Sequence, residues 1–93
     1  MTISNQEIEE KIKNQILTIL AKHGEIGWYG LDMRVTIDRR DFPRMTTVMT
    51  FVHYLHEDGK ISCNCGDDLG AADARYWLTP DGEAHLKTLA TQR

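Results

Sequence analysis

Apolar positions along the chain change period, and the changes mark its elements. Ile8, Ile12, Ile16, Ile19 and Leu20 recur at helical spacing and predict a first helix over residues 5–23. Ser4 followed by Glu7 forms a capping-box pattern at its start. Gly24 stops it, with Lys22 and His23 in the last turn, where cations suit the helix dipole. "GEIGWYGLDMRV" then predicts a tight connection and a short helix over 28–35, with Leu31 and Val35 inward and Trp28 as anchor. Asp41 as a cap and Pro43 in the first turn predict a third helix over 42–58. Its apolar stripe is Met45, Val48, Met49, Val52 and Leu55, and Gly59 is its left-handed stop. Phe51 and Tyr54 lie off that stripe and are expected to pack beneath a hairpin downstream of Gly59.

After Gly59 the period becomes two. Ile61, Cys63 and Cys65 alternate with polar residues, and Tyr76 and Leu78 alternate with Arg75 and Trp77. Two half-buried strands joined through "GDDLGAAD" therefore occupy residues 60–79, and a short strand at "EIGW" could join them as a third. Thr79 caps a last helix over 80–90, with Pro80 at its first position and Ala84, Leu86 and Leu89 as apolar contacts. The expected class is α+β: a three-helix core, a β-hairpin and a final short helix in a single domain over residues 1–93.

Composition adds limits. At 93 residues, 41% hydrophobic and 27% charged, the chain has the balance of an ordinary globular domain. No run approaches the ~20 apolar residues of a membrane span. The polar, acidic start "MTISNQEIEEKIKN" has neither signal-peptide nor transit-peptide character, so a cytoplasmic location is the expectation. A net charge of −3 argues against broad, non-specific coating of nucleic acid, which rests on cations displacing counterions. A locally basic face would still allow specific binding.

The order of elements, with "YLHEDGKI" and "RYWLTPDGEAHL" in place, resembles the winged helix-turn-helix fold of PadR-like and MarR-like transcriptional regulators. The matching positions are Leu55, Glu57, Gly59 and Ile61 at the end of the recognition helix, and Tyr76, Leu78, Thr79, Pro80 and Gly82 at the wing's exit. "GWYGLDMRV" is similar to the start of the second helix in PadR-like proteins, and the likeness spans about residues 8–89. It implies a small bacterial or phage regulator that binds duplex DNA as a homodimer, without cofactor or enzymatic activity. The wing tip departs from the pattern: Asp67, Asp68 and Asp73 stand where DNA-contacting wings are usually basic. The chain also ends soon after the fourth helix, where those families often add a dimerisation segment.

In that fold helix 3 enters the major groove with its N-terminal residues nearest the bases. Its face away from the apolar stripe offers Arg44, Thr46, Thr47, Thr50 and His53. Arginine can bond guanine in bidentate fashion, and threonine can read a base or hold a phosphate. "RVTIDRRDFPR" gathers Arg34, Arg39, Arg40 and Arg44, the most basic local stretch, beside Asp38 and Asp41. Arg75 is the remaining cation on the wing's second strand. The DNA-binding candidates are therefore Arg39, Arg40, Arg44, Thr46, Thr47, Thr50, His53 and Arg75. An exposed polar helix face and a mixed solvated loop would carry the same residues. The alternative function is a protein-interaction module that meets a protein partner through the acidic wing and the aromatic face.

"CNC" and "HYLH" raise other chemistry. Cys63 and Cys65 would share one strand face and could contribute to a metal site with His23, His53, His56 or His85, but the four-ligand spacing of structural zinc is missing. A disulfide between alternate strand residues would be strained. Two small, half-buried thiols are the expectation. No glycine-rich phosphate loop, nucleophile elbow or catalytic triad is present in the sequence.

Overall fold

The computed structural model describes residues 5–66 and 68–91. Helix α1 spans Asn5–His23, strand β1 Glu25–Gly27, helix α2 Trp28–Arg34, helix α3 Val48–Glu57, strand β2 Ile61–Cys63, strand β3 Arg75–Leu78 and helix α4 Pro80–Thr91. A single 3-10 turn, Arg39–Asp41, lies between α2 and α3. The strands form one antiparallel sheet in the order β1-β3-β2. The class is α+β, with four helices and a small three-stranded sheet among the described residues.

Helix α1 is the axis of the packing and touches α2, α3, α4, β1 and β3. Its Ile8, Ile12, Ile16, Ile19 and Leu20 are buried, as the spacing predicted, and so is Leu17. It ends at Gly24, where φ is 80° and the N–H bonds the Leu20 carbonyl at 2.7 Å, a left-handed helix stop. The proposed Ser4 cap lies outside the described residues. Strand β1 is the third strand anticipated at "EIGW", pairing Ile26 with Tyr76. Leu31 and Val35 face the core.

Helix α3 departs from its expected bounds. It begins at Val48, not near residue 42, because the preceding segment has other work. Phe42 is extended and buried, its ring edge-on to Phe51 at 5.8 Å between centroids. The chain then turns, with Thr46 N–H bonding the Pro43 carbonyl at 3.1 Å and Met45 at φ 64°. Met45 is 92% exposed, so it belongs to no apolar stripe. Asp41 caps no helix; it lies inside the 3-10 turn, whose cap is Asp38, accepting from Arg40 N–H at 2.8 Å. The helix is started instead by Thr47, whose N–H donates to Thr50 Oγ1 at 3.0 Å. Val48, Phe51, Val52 and Leu55 form the buried face.

The two sequence motifs at the hairpin's ends meet in space. Gly59, at φ 74°, ends α3 with Gly59 N–H on the His56 carbonyl and Lys60 N–H on the Leu55 carbonyl, a Schellman closure. Thr79 Oγ1 accepts from Gly82 N–H at 3.1 Å and donates to the Gly59 carbonyl at 2.6 Å, so the cap of α4 is tied to the stop of α3. Leu86 packs against the core, whereas Ala84 is exposed.

The loop between β2 and β3 is folded down onto the body. Leu69 and Ala74 are buried, and the hydroxyl of the fully buried Tyr76 donates to the Leu69 carbonyl. Phe51 is fully buried in the core that the hairpin covers, whereas Tyr54 is 41% exposed. Phe51 sits between Phe42 and Tyr54, and the Lys13 ammonium lies 5.6 Å over the Tyr54 ring.

Candidate nucleic-acid interface

The apolar side of α3 rests on α1, which leaves Thr50, His53, Tyr54 and Glu57 along the opposite side. Arg44 stands in the turn just before the helix and is exposed. This is the surface on which the sequence placed its candidates, and the structure divides them.

Arg39 belongs to the scaffold. Its guanidinium donates to the carbonyls of Asp32 (2.9 Å), Ile37 (2.8 Å) and Val35 (3.3 Å), pairs with the Asp32 carboxylate at 3.2 Å, and lies over the Phe42 ring. Those bonds fasten the connection 35–47 to the end of α2. Arg40 is paired with Asp38 at 2.9 Å, yet its side chain is 90% exposed. The Arg40 guanidinium, and after it the Arg40 backbone N–H, holds the Asp38 carboxyl below its usual value; Asp38 in turn raises that of Arg40. Such an exposed pair is worth little in water and can be exchanged for another anion.

Arg75 does not offset the acidic loop. It reaches across to β1 and pairs with Glu25 at 2.7 Å. Thr46 donates to the Pro43 carbonyl at 2.5 Å, and Thr47 and Thr50 are engaged in starting α3. Arg44 and His53 have no hydrogen bond or ion pair among the described residues. Arg34 turns away from this surface altogether, donating to His23 Nε2 and to the Gly30 carbonyl, each at 3.0 Å.

Lys22, His23 and Arg34 thereby form a second basic group, lining a cleft of about 410 Å³ with Gln15, Thr18 and Ile19. Only spatial proximity brings Arg34 to the end of α1, so sequence spacing did not reveal it. Lys22 and Arg34 also lie at the carboxyl ends of two helices, where cations suit the helix dipoles.

Asp68 and Asp73 are exposed on the loop between β2 and β3, while Asp67 lies outside the described residues. Cys63 and Cys65 are joined in a disulfide, in place of the two thiols expected. The strand ends at Cys63 and the chain turns through residues 64–66. The two Cα atoms are therefore 5.3 Å apart, within the span a disulfide bridges, rather than at extended spacing. No group of three or more His, Cys, Asp or Glu side chains suited to a metal ion occurs among the described residues. No helix among them is long and apolar enough to cross a membrane.

No protein-family model, curated protein or solved structure matches the chain.

Proposed function

We propose that this chain is a winged-helix transcriptional regulator that binds duplex DNA through the exposed side of α3, acting as a homodimer. The observation that carries the reading is the placement of α3. It rests on α1 with four of its side chains buried, opens at its amino end beside the exposed Arg44, and runs through Gly59 directly into the sheet. The order helix, strand, two helices, two strands, helix, with β3 central in the sheet, is the arrangement a winged helix uses. Arg44 and Arg40 meet phosphate or guanine in this reading, and Thr47, Thr50 and His53 lie along the groove. Arg39 holds backbone carbonyls, and Arg75 is paired with Glu25. The half-sites of a palindrome would lie one helical turn apart, ~34 Å.

Fluorescence anisotropy of a mixed-sequence duplex, titrated with the chain at low and rising salt, tests this. Binding is expected at low salt, weakening as salt rises, and the Arg40→Ala, Arg44→Ala double variant should lose it. Arg39→Ala should instead lower the thermal midpoint, by about 1–3 kcal/mol of stability, because carbonyls lose their donors. Binding that survives the double variant would overturn the choice of residues. Absence of binding at low salt would overturn the DNA reading.

A protein-interaction module is the second reading, and one observation favours it. Tyr29 (73% exposed), Met33 (80%) and Met45 (92%) present large apolar side chains to solvent. The exposed Asp68 and Asp73 would suit a basic partner on the loop.

A further inference from the structure

We propose that Cys63 and Cys65 form a redox-modification site, a thiol–disulfide couple at the root of the loop between β2 and β3. Backbone geometry carries the inference. Cys63 is fixed as the last residue of β2, paired with Tyr76 in the central strand. Asn64 then clamps the turn to the other side of the hairpin: its Oδ1 accepts from Arg75 N–H at 2.9 Å and its Nδ2 donates to the Asp73 carbonyl at 3.5 Å. Asp68 N–H bonds the Cys65 carbonyl at 3.1 Å, and Gly66, at φ 62°, supplies the left-handed step that bends the chain. Cys65 N–H also lies 3.2 Å from Cys63 Sγ, but the clamps through Asn64, Asp68 and Gly66 do not depend on the S–S bond, and they favour the close approach seen in the disulfide, where the Cα atoms are 5.3 Å apart. Both residues are half-buried, leaving part of each side chain open to a small reagent.

Preorganisation of this kind favours the internal bond over a bond to an outside thiol, because the second sulfur is already at high effective concentration. The oxidant is a low-molecular-weight disulfide. One cysteine thiolate attacks it, forming a mixed disulfide and releasing one small thiolate. The second cysteine thiolate then attacks the protein-side sulfur and releases the other small thiolate. The two protons lost from the cysteines end on the two small thiols. Reduction by a small thiol runs the same steps backwards. Closing the pair ties the first turn of the loop to the end of β2, so the oxidation state sets how freely residues 64–74 open.

The test uses the full chain equilibrated in glutathione buffers of increasing oxidised fraction, quenched in acid, alkylated and weighed by mass spectrometry. Alkylatable cysteines should fall from two to none, giving a monomer lighter by two hydrogen atoms with no glutathione attached. Cys63→Ser and Cys65→Ser should each accumulate the glutathione adduct instead. Hydrogen exchange at residues 64–74 should slow on oxidation, with α1 unchanged. Both cysteines remaining alkylatable in fully oxidised buffer would overturn the proposal. So would a glutathione adduct or a cross-linked dimer as the main product of the native chain. Loop exchange that is identical in the two states would overturn the structural consequence. None of these measurements involves DNA, so the outcome is independent of the regulator reading.

Discussion

Tyr76 reports how the loop is held. Its ring fills the centre of the sheet's inner side and its hydroxyl serves the Leu69 carbonyl, a polar group that would otherwise be stranded over the core. Loss of that donor in Tyr76→Phe should cost about 1–3 kcal/mol, read from the urea midpoint, with the far-UV spectrum retained. Burial, and after it the charge of Asp68, raises the phenol above its ordinary value of about 10. A group whose folded value is raised contributes stability that is complete below the unfolded value and is lost as pH climbs through the folded one. Wild-type stability should therefore fall above pH ~10, and Tyr76→Phe should show a shallower fall; equal slopes in the two proteins would refute the assignment. Arg39 teaches the same lesson from the opposite direction. In sequence it is one more cation in a basic stretch; in the folded chain it donates to three carbonyls and is a structural side chain. The sequence shows its charge but not the carbonyls that use it.

At the scale of elements, local signals predicted local events well. Gly24 and Gly59 stop helices with the left-handed backbone expected of them, and Thr79 caps α4. The start of α3 was misplaced because two threonines compete with Asp41 and Pro43 for the same role. Burial of Phe42 against Phe51 decides the contest by keeping residue 42 extended. Gly82 has a role that helix propensity would never suggest. A Cβ there would run into the Lys60 carbonyl, so α4 lies directly against the backbone that opens β2. Alanine ordinarily favours a helix by about 1 kcal/mol over glycine, yet Gly82→Ala should destabilise by about 1–3 kcal/mol through overpacking. Chemical denaturation measures this, and a stabilised variant would contradict the contact.

For the whole molecule, the question is how a chain of net charge −3 could meet DNA. Its exposed cations at α3 reduce to Arg44 and the paired Arg40 once Arg39, Arg75 and Arg34 are assigned to the scaffold or to another surface. In the proposed DNA complex, Asp38 would compete with phosphate for Arg40. Asp38→Asn should raise low-salt DNA affinity several-fold (roughly 10-fold) and steepen the salt dependence by about one phosphate contact. Adding Arg40→Ala should cancel the gain, and an unchanged affinity in Asp38→Asn would remove Arg40 from the interface. The sequence by itself determined the α+β class, the helix stops, the alternating strands and the core of α1, because these depend on backbone preference and periodic burial within a few residues. Tertiary structure alone decided which arginines are free, where α3 begins, how the loop folds over Leu69 and that Cys63 meets Cys65. Each of those depends on a partner brought close by folding: Asp32 for Arg39, Phe51 for Phe42, Tyr76 for Leu69, and the turn at residues 64–66 for the two sulfurs.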